Sequence, residues 1–183
     1  ETASVFGEML TFQALLRQTT DKKKRKILLA SKVEDMINTV VRQIAFYTFE
    51  RKVHTARKEG ELTPDKINEI WLEIQAESLG DSIGIGPGYE TFWAYIPHFI
   101  HSPFYVYAYA FGDCLVNSLY ARYQESEAGF QEKYFTMLKA GGTQHHSELL
   151  KPFGLDATDP EFWQKGLSVI SRLIDELETM ENA

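Results

Sequence analysis

The sequence predicts an all-α fold: a multi-helix lobe organised around one unusually long spine helix. Two features of the pattern predict it. Apolar residues recur at a period of about 3.6 along the chain, and alternating apolar and polar runs are almost absent. Start signals reinforce this, with a capping residue directly before proline at Thr63-Pro64 and Asp159-Pro160. With 183 residues, 44% of them hydrophobic, the chain can bury one sizeable core, and one lobe is expected.

The first helix is expected over 1–17, carrying Val5, Met9, Phe12, Leu15 and Leu16 at i, i+4 and i+7 spacings. A second begins after the N-cap pair Thr20-Asp21 and runs to near Gly60, with Leu28, Val33, Met36, Ile37, Val40, Val41, Ile44 and Phe49 as its apolar set. It is the spine. A third helix starts at Thr63-Pro64-Asp65 and passes through Ile67, Ile70, Trp71 and Ile74 to about Leu79. Gly80, Gly84, Gly86, Pro87 and Gly88 then mark an irregular stretch, which leads through an aromatic run at 89–95 to Pro97. A fourth helix is expected from Ser102-Pro103 to Tyr123 and a fifth from Ser126 to about Ala140. Gly141-Gly142 and a short helix at 147–152 lead to a last helix, from Asp159-Pro160 to the C-terminus.

A net charge of −7 argues against a nucleic-acid surface, which needs a basic face. The basic run Lys22-Lys23-Lys24-Arg25-Lys26 reads as a solvated loop and helix start. Cys114 is the only cysteine, so no disulfide framework is possible; it reads as a small buried hydrophobe, and a reducing, cytoplasmic compartment is expected. No apolar run reaches the roughly 18 residues of a membrane span. No signal-peptide pattern is present, and opening on Glu1 inside a helical pattern suggests a piece of a longer protein.

Three segments have residues suited to chemistry. Glu1, Ser4 and Glu8 share one helix face, and carboxylates on a face turned toward a core need a metal, or hydrogen bonds to metal ligands, to offset desolvation. By spacing alone a solvated or capping role has the stronger claim, because Glu is common in a first helical turn. In the second segment His98 and His101 precede a helix on which Tyr105 and Tyr109 lie one turn apart, with Tyr107 on the opposite side. Imidazole and phenol donors converging on one cavity are what a developing oxyanion requires. An aromatic core stripe with tyrosine tips at the surface explains the same pattern. The third, Gln144-His145-His146-Ser147-Glu148, reads as capping and packing, since adjacent histidines seldom converge on one ion. His54, late in the second helix, suits the helix dipole and is assigned no function.

Three stretches, in order, resemble a known family. Glu1-Thr2-Ala3-Ser4-Val5-Phe6-Gly7-Glu8 is similar to the segment after the zinc-binding helix of oligoendopeptidase F and the related thimet oligopeptidase-like metallopeptidases. Residues 97–110, Pro-His-Phe-Ile-His-Ser-Pro-Phe-Tyr-Val-Tyr-Ala-Tyr-Ala, resemble that family's substrate-binding helix, and residues 146–156 with 159–163 resemble its C-terminal signature. The resemblance implies the C-terminal portion, residues 1–183, of the catalytic domain of a larger, two-lobed, helical zinc endopeptidase that cleaves short peptides in a deep channel. It implies one Zn²⁺ per full-length enzyme, with Glu1 as third ligand and Ser4 and Glu8 supporting the site. Two histidines and a general-base Glu come from a His-Glu-x-x-His helix, and the zinc-bound water is the attacking group. Tyr105, Tyr109 and one of His98 or His101, with His98 favoured, become donors to the tetrahedral intermediate or the peptide backbone. Tyr107 joins the substrate-binding set, and Gly84, Gly86 and Gly88 become a flexible substrate-covering loop.

The chain departs from the family at one point: no His-Glu-x-x-His occurs in it. Two zinc ligands and the general base are therefore expected from a missing N-terminal part of the same protein. This chain alone is expected to fold but to be inactive, with an exposed apolar wall that favours self-association. The alternatives are a non-catalytic helical module that binds a peptide or protein, and a catalytically dead regulator descended from a peptidase.

Overall fold

The structure, a computed structural model, describes residues 2–125 and 128–181. Every regular element among them is helical: α1 (Thr2–Gln18), α2 (Lys22–Ala56), α3 (Pro64–Leu79), α4 (His98–His101), α5 (Tyr107–Gln124), α6 (Phe130–Ala140), α7 (His146–Leu150) and α8 (Pro160–Glu181). Short 3-10 segments occupy Gly80–Ser82, Tyr89–Tyr95 and Lys151–Phe153. The starts follow the expected side-chain chemistry. Asp21 Oδ1 accepts the Lys24 amide at 2.9 Å, Thr63 Oγ1 accepts that of Lys66 at 3.3 Å, and Asp159 Oδ1 accepts that of Glu161 at 2.9 Å. The spine helix, α2, is 35 residues long.

Two compact units divide the chain, one made of Glu1–Met36 and Gly112–Ala183, the other of Ile37–Phe111. In the first, α1 buries Phe6, Met9, Phe12 and Leu16. Val5 and Leu15, expected in this stripe, do not belong to its fully buried set: Val5 is half-buried and Leu15 is 49% exposed. Phe6 takes the inward position because its ring meets Tyr134 at 4.6 Å and stacks on Phe130 at 5.9 Å. Helix α8 adds Phe162, Val169, Ile170 and Leu173 to the buried set. It lies so close to α5 that a Cβ on Gly166 would stand 2.7 Å from the Cys114 carbonyl oxygen. Ser118 Oγ donates to the Phe162 carbonyl at 2.9 Å across the same contact. Cys114 is buried as expected, and burial with the adjacent Asp113 charge pushes its thiol up to about 12.

The second unit is built on Ala45, Phe46 and Phe49 of α2, Ile70, Trp71 and Ile74 of α3, and Ile96 and Val106 of the connecting segments. Ile37, Val41 and Ile44, expected in the core, are 40%, 41% and 51% exposed. A period identifies a face without saying which face turns inward, and here Phe46 and Phe49 claim it by packing on Trp71 at 5.6 and 5.1 Å. The aromatic 3-10 segment is fixed to α3 by polar tips. Trp93 Nε1 donates to Asn68 Oδ1 at 2.7 Å and the Tyr89 hydroxyl to Gln75 Oε1 at 3.3 Å.

Two helix starts differ from expectation. The fourth expected helix does not begin at Ser102-Pro103, because the chain first closes α4 and turns through Phe104, whose φ of 61° is left-handed and incompatible with a continuous helix. The expected start of the fifth at Ser126 lies outside the described residues; α6 begins at Phe130, after Gly129 at a φ of 79°. The stretch expected to be irregular at 80–88 also contains one 3-10 turn, Gly80–Ser82.

Candidate active site

Helix α4, the turn after it and the first turn of α5 place three of the expected residues together in the second unit. His98 Nε2 lies 3.0 Å from the Tyr109 hydroxyl oxygen, within hydrogen-bond range. The Tyr105 ring stacks parallel to the His98 ring, at 6.4 Å and 11°, and meets the Tyr109 ring edge-on at 5.5 Å. Tyr105 is 49% exposed, while His98 and Tyr109 are half-buried, so the cluster has a supported base and an open side. Phenol and imidazole groups so arranged can present hydrogen-bond donors to one carbonyl oxygen.

The other expected residues stand apart from this trio. His101 is exposed at the end of α4, and no hydrogen bond or ring contact joins it to the three among the described residues. Tyr107, 52% exposed, packs its ring 5.9 Å from Tyr47, on a different neighbour from that of its sister tyrosines. Gly84, Gly86 and Gly88 are all exposed with open space where a Cβ would be, and Gly88 takes a φ of 92°. Its amide donates to Glu90 Oε2 at 2.7 Å.

Glu1 lies outside the described residues. Ser4 and Glu8 are exposed. The Glu8 carboxylate accepts a hydrogen bond from buried Lys32, which also lies 3.6 Å from Asp35. His145 caps α7, its Nδ1 accepting the Ser147 amide at 3.4 Å and meeting the Ser147 hydroxyl at 2.9 Å, and its ring lies 4.1 Å from that of His146. Among the described residues, no group of three or more His, Cys, Asp or Glu could hold a metal ion. An open recess of about 700 Å³ in the first unit, lined by Leu10, Arg17, Tyr120, Tyr123 and Phe130 among others, contains none of the expected site residues.

The sequence reading missed Glu50. This carboxylate is 1% exposed, and its Oε1 accepts the Phe104 amide at 2.9 Å. Burial pushes its pKa above the ordinary glutamate value, and the Phe104 N–H, His54 and His98 oppose that push. A Glu following the core residue Phe49 gives no sequence signal of this role, because its partner lies 54 residues away.

The profile of peptidase family M3 matches residues 1–169, and the chain belongs to that family. The relatives are consistent with the oligoendopeptidase F resemblance. Oligopeptidase PepF of Bacillus subtilis is 32% identical over 181 residues, covering 98% of this chain and 27% of its own. The plasmid-borne oligoendopeptidase F of Lactococcus lactis subsp. cremoris is 30% identical over 98% of this chain and 30% of its own. In three dimensions the chain is similar to the crystal structure of oligoendopeptidase-F from Enterococcus faecium, with a TM-score of 0.91 and 27% identity over 100% of this chain and 35% of that one. The chain thus spans about 30% of the length of the curated relatives it matches. Among the described residues no helix is long and apolar enough to cross a membrane.

Proposed function

We propose that this chain is the C-terminal portion of the catalytic domain of a zinc-dependent oligoendopeptidase, which hydrolyses internal bonds of short peptides. The observation that carries the reading is the 3.0 Å approach of His98 Nε2 to the Tyr109 hydroxyl beside the half-exposed Tyr105, in a chain of a peptidase family. With the ring proton on Nε2, His98 donates to the Tyr109 oxygen, and the Tyr109 phenol donates to the oxyanion that forms on the scissile carbonyl. Tyr105 donates to the peptide backbone at the open side. His98 rather than His101 fills the imidazole role, Tyr107 flanks the substrate, and the Gly84, Gly86 and Gly88 segment covers it.

The chain holds no His-Glu-x-x-His, and on this reading it is inactive by itself. Glu1 is assigned as one ligand of the zinc in the parent protein, with Ser4 and Glu8 in support. The remaining ligands and the general base belong to an upstream part of the same protein, which is this chain's principal partner; nucleic acid is not one. A cytoplasmic setting for the parent protein is part of this proposal.

The test is zinc content and cleavage of a quenched fluorescent peptide by the parent protein, before and after Glu1→Gln. About one zinc per chain and efficient cleavage, both lost on substitution, are expected. A parent that cleaves normally without Glu1 contradicts the ligand assignment. A parent that never cleaves leaves a non-catalytic helical module that binds a peptide or protein.

A further inference from the structure

We propose that Glu50 is a positioning residue for the donor cluster: by accepting the Phe104 amide it holds the turn that presents Tyr105 toward the peptide. The inference rests on the peptidase reading for its consequence and on geometry alone for its cause. Among the described residues Phe104 is the sole non-glycine with a positive φ, a conformation that a β-carbon disfavours. Such a residue stays there only when its surroundings over-determine it. Glu50 supplies that restraint from α2, with its Oε1 2.9 Å from the Phe104 nitrogen. The Phe104 side chain is gripped as well, with its ring 4.8 Å from that of His54 and 6.5 Å from that of Tyr47.

The next residue in the chain is Tyr105. Its amide donates to the Ser102 carbonyl at 3.1 Å, and its own carbonyl accepts the Ala108 amide at 2.9 Å, so the turn runs directly into α5. Rotation at Phe104 would therefore move the Tyr105 ring off His98 and Tyr109 and shift where the helix begins. The second carboxylate oxygen of Glu50 has no hydrogen-bond partner among the described residues. A buried acid that leaves one oxygen unpaired is costly to the fold. That cost is unexplained by packing, since an apolar residue would fill the space without it; the bond to the turn is what the carboxylate provides.

The test compares Glu50→Ala and Glu50→Gln in the parent peptidase, reading peptide hydrolysis and hydrogen exchange at the Phe104 amide. Alanine removes the acceptor, whereas glutamine keeps an amide oxygen in its place. With alanine, Phe104 exchange accelerates while the Phe46, Phe49 and Trp71 amides stay protected, and KM rises about tenfold with a smaller change in kcat, because a backbone-binding group has been displaced. With glutamine both return toward the wild type. The proposal is overturned if Phe104 exchange is unchanged in Glu50→Ala. It is also overturned if protection falls evenly across the core and glutamine does no better, which is the mark of a general stabilising role. A parent that cleaves no peptide removes the peptidase reading and leaves the exchange experiment to decide on Glu50.

Discussion

Glu50 in the second unit and Asp113 in the first are both buried carboxylates, 1% and 6% exposed, and burial raises the pKa of each. Their partners differ. Asp113 accepts from the Asn117 side chain one turn further along α5, at 2.9 Å, and faces Lys32, which is itself hydrogen-bonded to Glu8 and lies near Asp35. That network joins regular helices and leaves the backbone of each unperturbed. Glu50 reaches instead to the main chain of an irregular turn and spends its acceptor on one left-handed residue beside the His98 and Tyr109 pair. The contrast separates two uses of a buried charge: cohesion in the first unit, and the shape of a candidate site in the second.

Substitutions in the first unit should therefore change stability. The largest effect is expected from Lys32→Met, which strips Asp113 of its cation. A loss of about 2–3 kcal/mol is expected at neutral pH, because Asp113 keeps a buried charge without the nearby ammonium, while the ion pairs that Lys32 itself makes are with the largely solvated Glu8 and Asp35. Urea unfolding measures it; a loss below about 0.5 kcal/mol, the scale of an exposed pair, would show that the network contributes no cohesion.

The next effect is a pH slope. Burial, only partly offset by Lys32 and the Asn117 bond, raises Asp113 from 3.8 to about 6. The folded state thus binds a proton more tightly than the unfolded state, so stability is highest below about pH 4 for this group and declines as pH rises to about 6, by on the order of 3 kcal/mol, then levels off. Asp113→Asn should flatten that part of the profile in thermal melts taken across the range, and an unchanged slope would assign it to other groups.

Gly166→Ala sharpens the comparison from the packing side. The added carbon would meet the Cys114 carbonyl at 2.7 Å, and the displacement of α8 costs about 1–3 kcal/mol, offset by less than 1 kcal/mol of helix propensity. A net fall in melting temperature is expected; a rise would mean that α8 moves freely.

The helices were largely legible because their signals are local. Thr63-Pro64 and Asp159-Pro160 specify their starts within four residues, and the caps form as the spacing requires. The start of α5 was not legible, because it follows Phe104, whose amide donates to Glu50, 54 residues upstream, and which has no sequence mark of its left-handed conformation. Nor could periodicity say that Ile37, Val41 and Ile44 face outward, since α2 has apolar residues on more than one side. At the candidate site the one-turn spacing of Tyr105 and Tyr109 was visible in the sequence and the preference for His98 came from the family resemblance, but the parallel stacking of Tyr105 on His98 and the separation of His101 depend on the turn between α4 and α5. The Gly166 contact was equally hidden, as nothing near Gly166 in sequence announces the Cys114 carbonyl.

The most direct test of the central claim, that the His98, Tyr105 and Tyr109 cluster acts on the scissile peptide, is kcat of the parent protein on a quenched fluorescent peptide with Tyr109→Phe. Loss of one preorganised donor should lower kcat by about 10²-fold or more while the melting temperature stays near that of the wild type. A variant within about threefold of wild-type kcat would contradict it, because a factor that small is less than 1 kcal/mol and below what a donor to the transition state supplies.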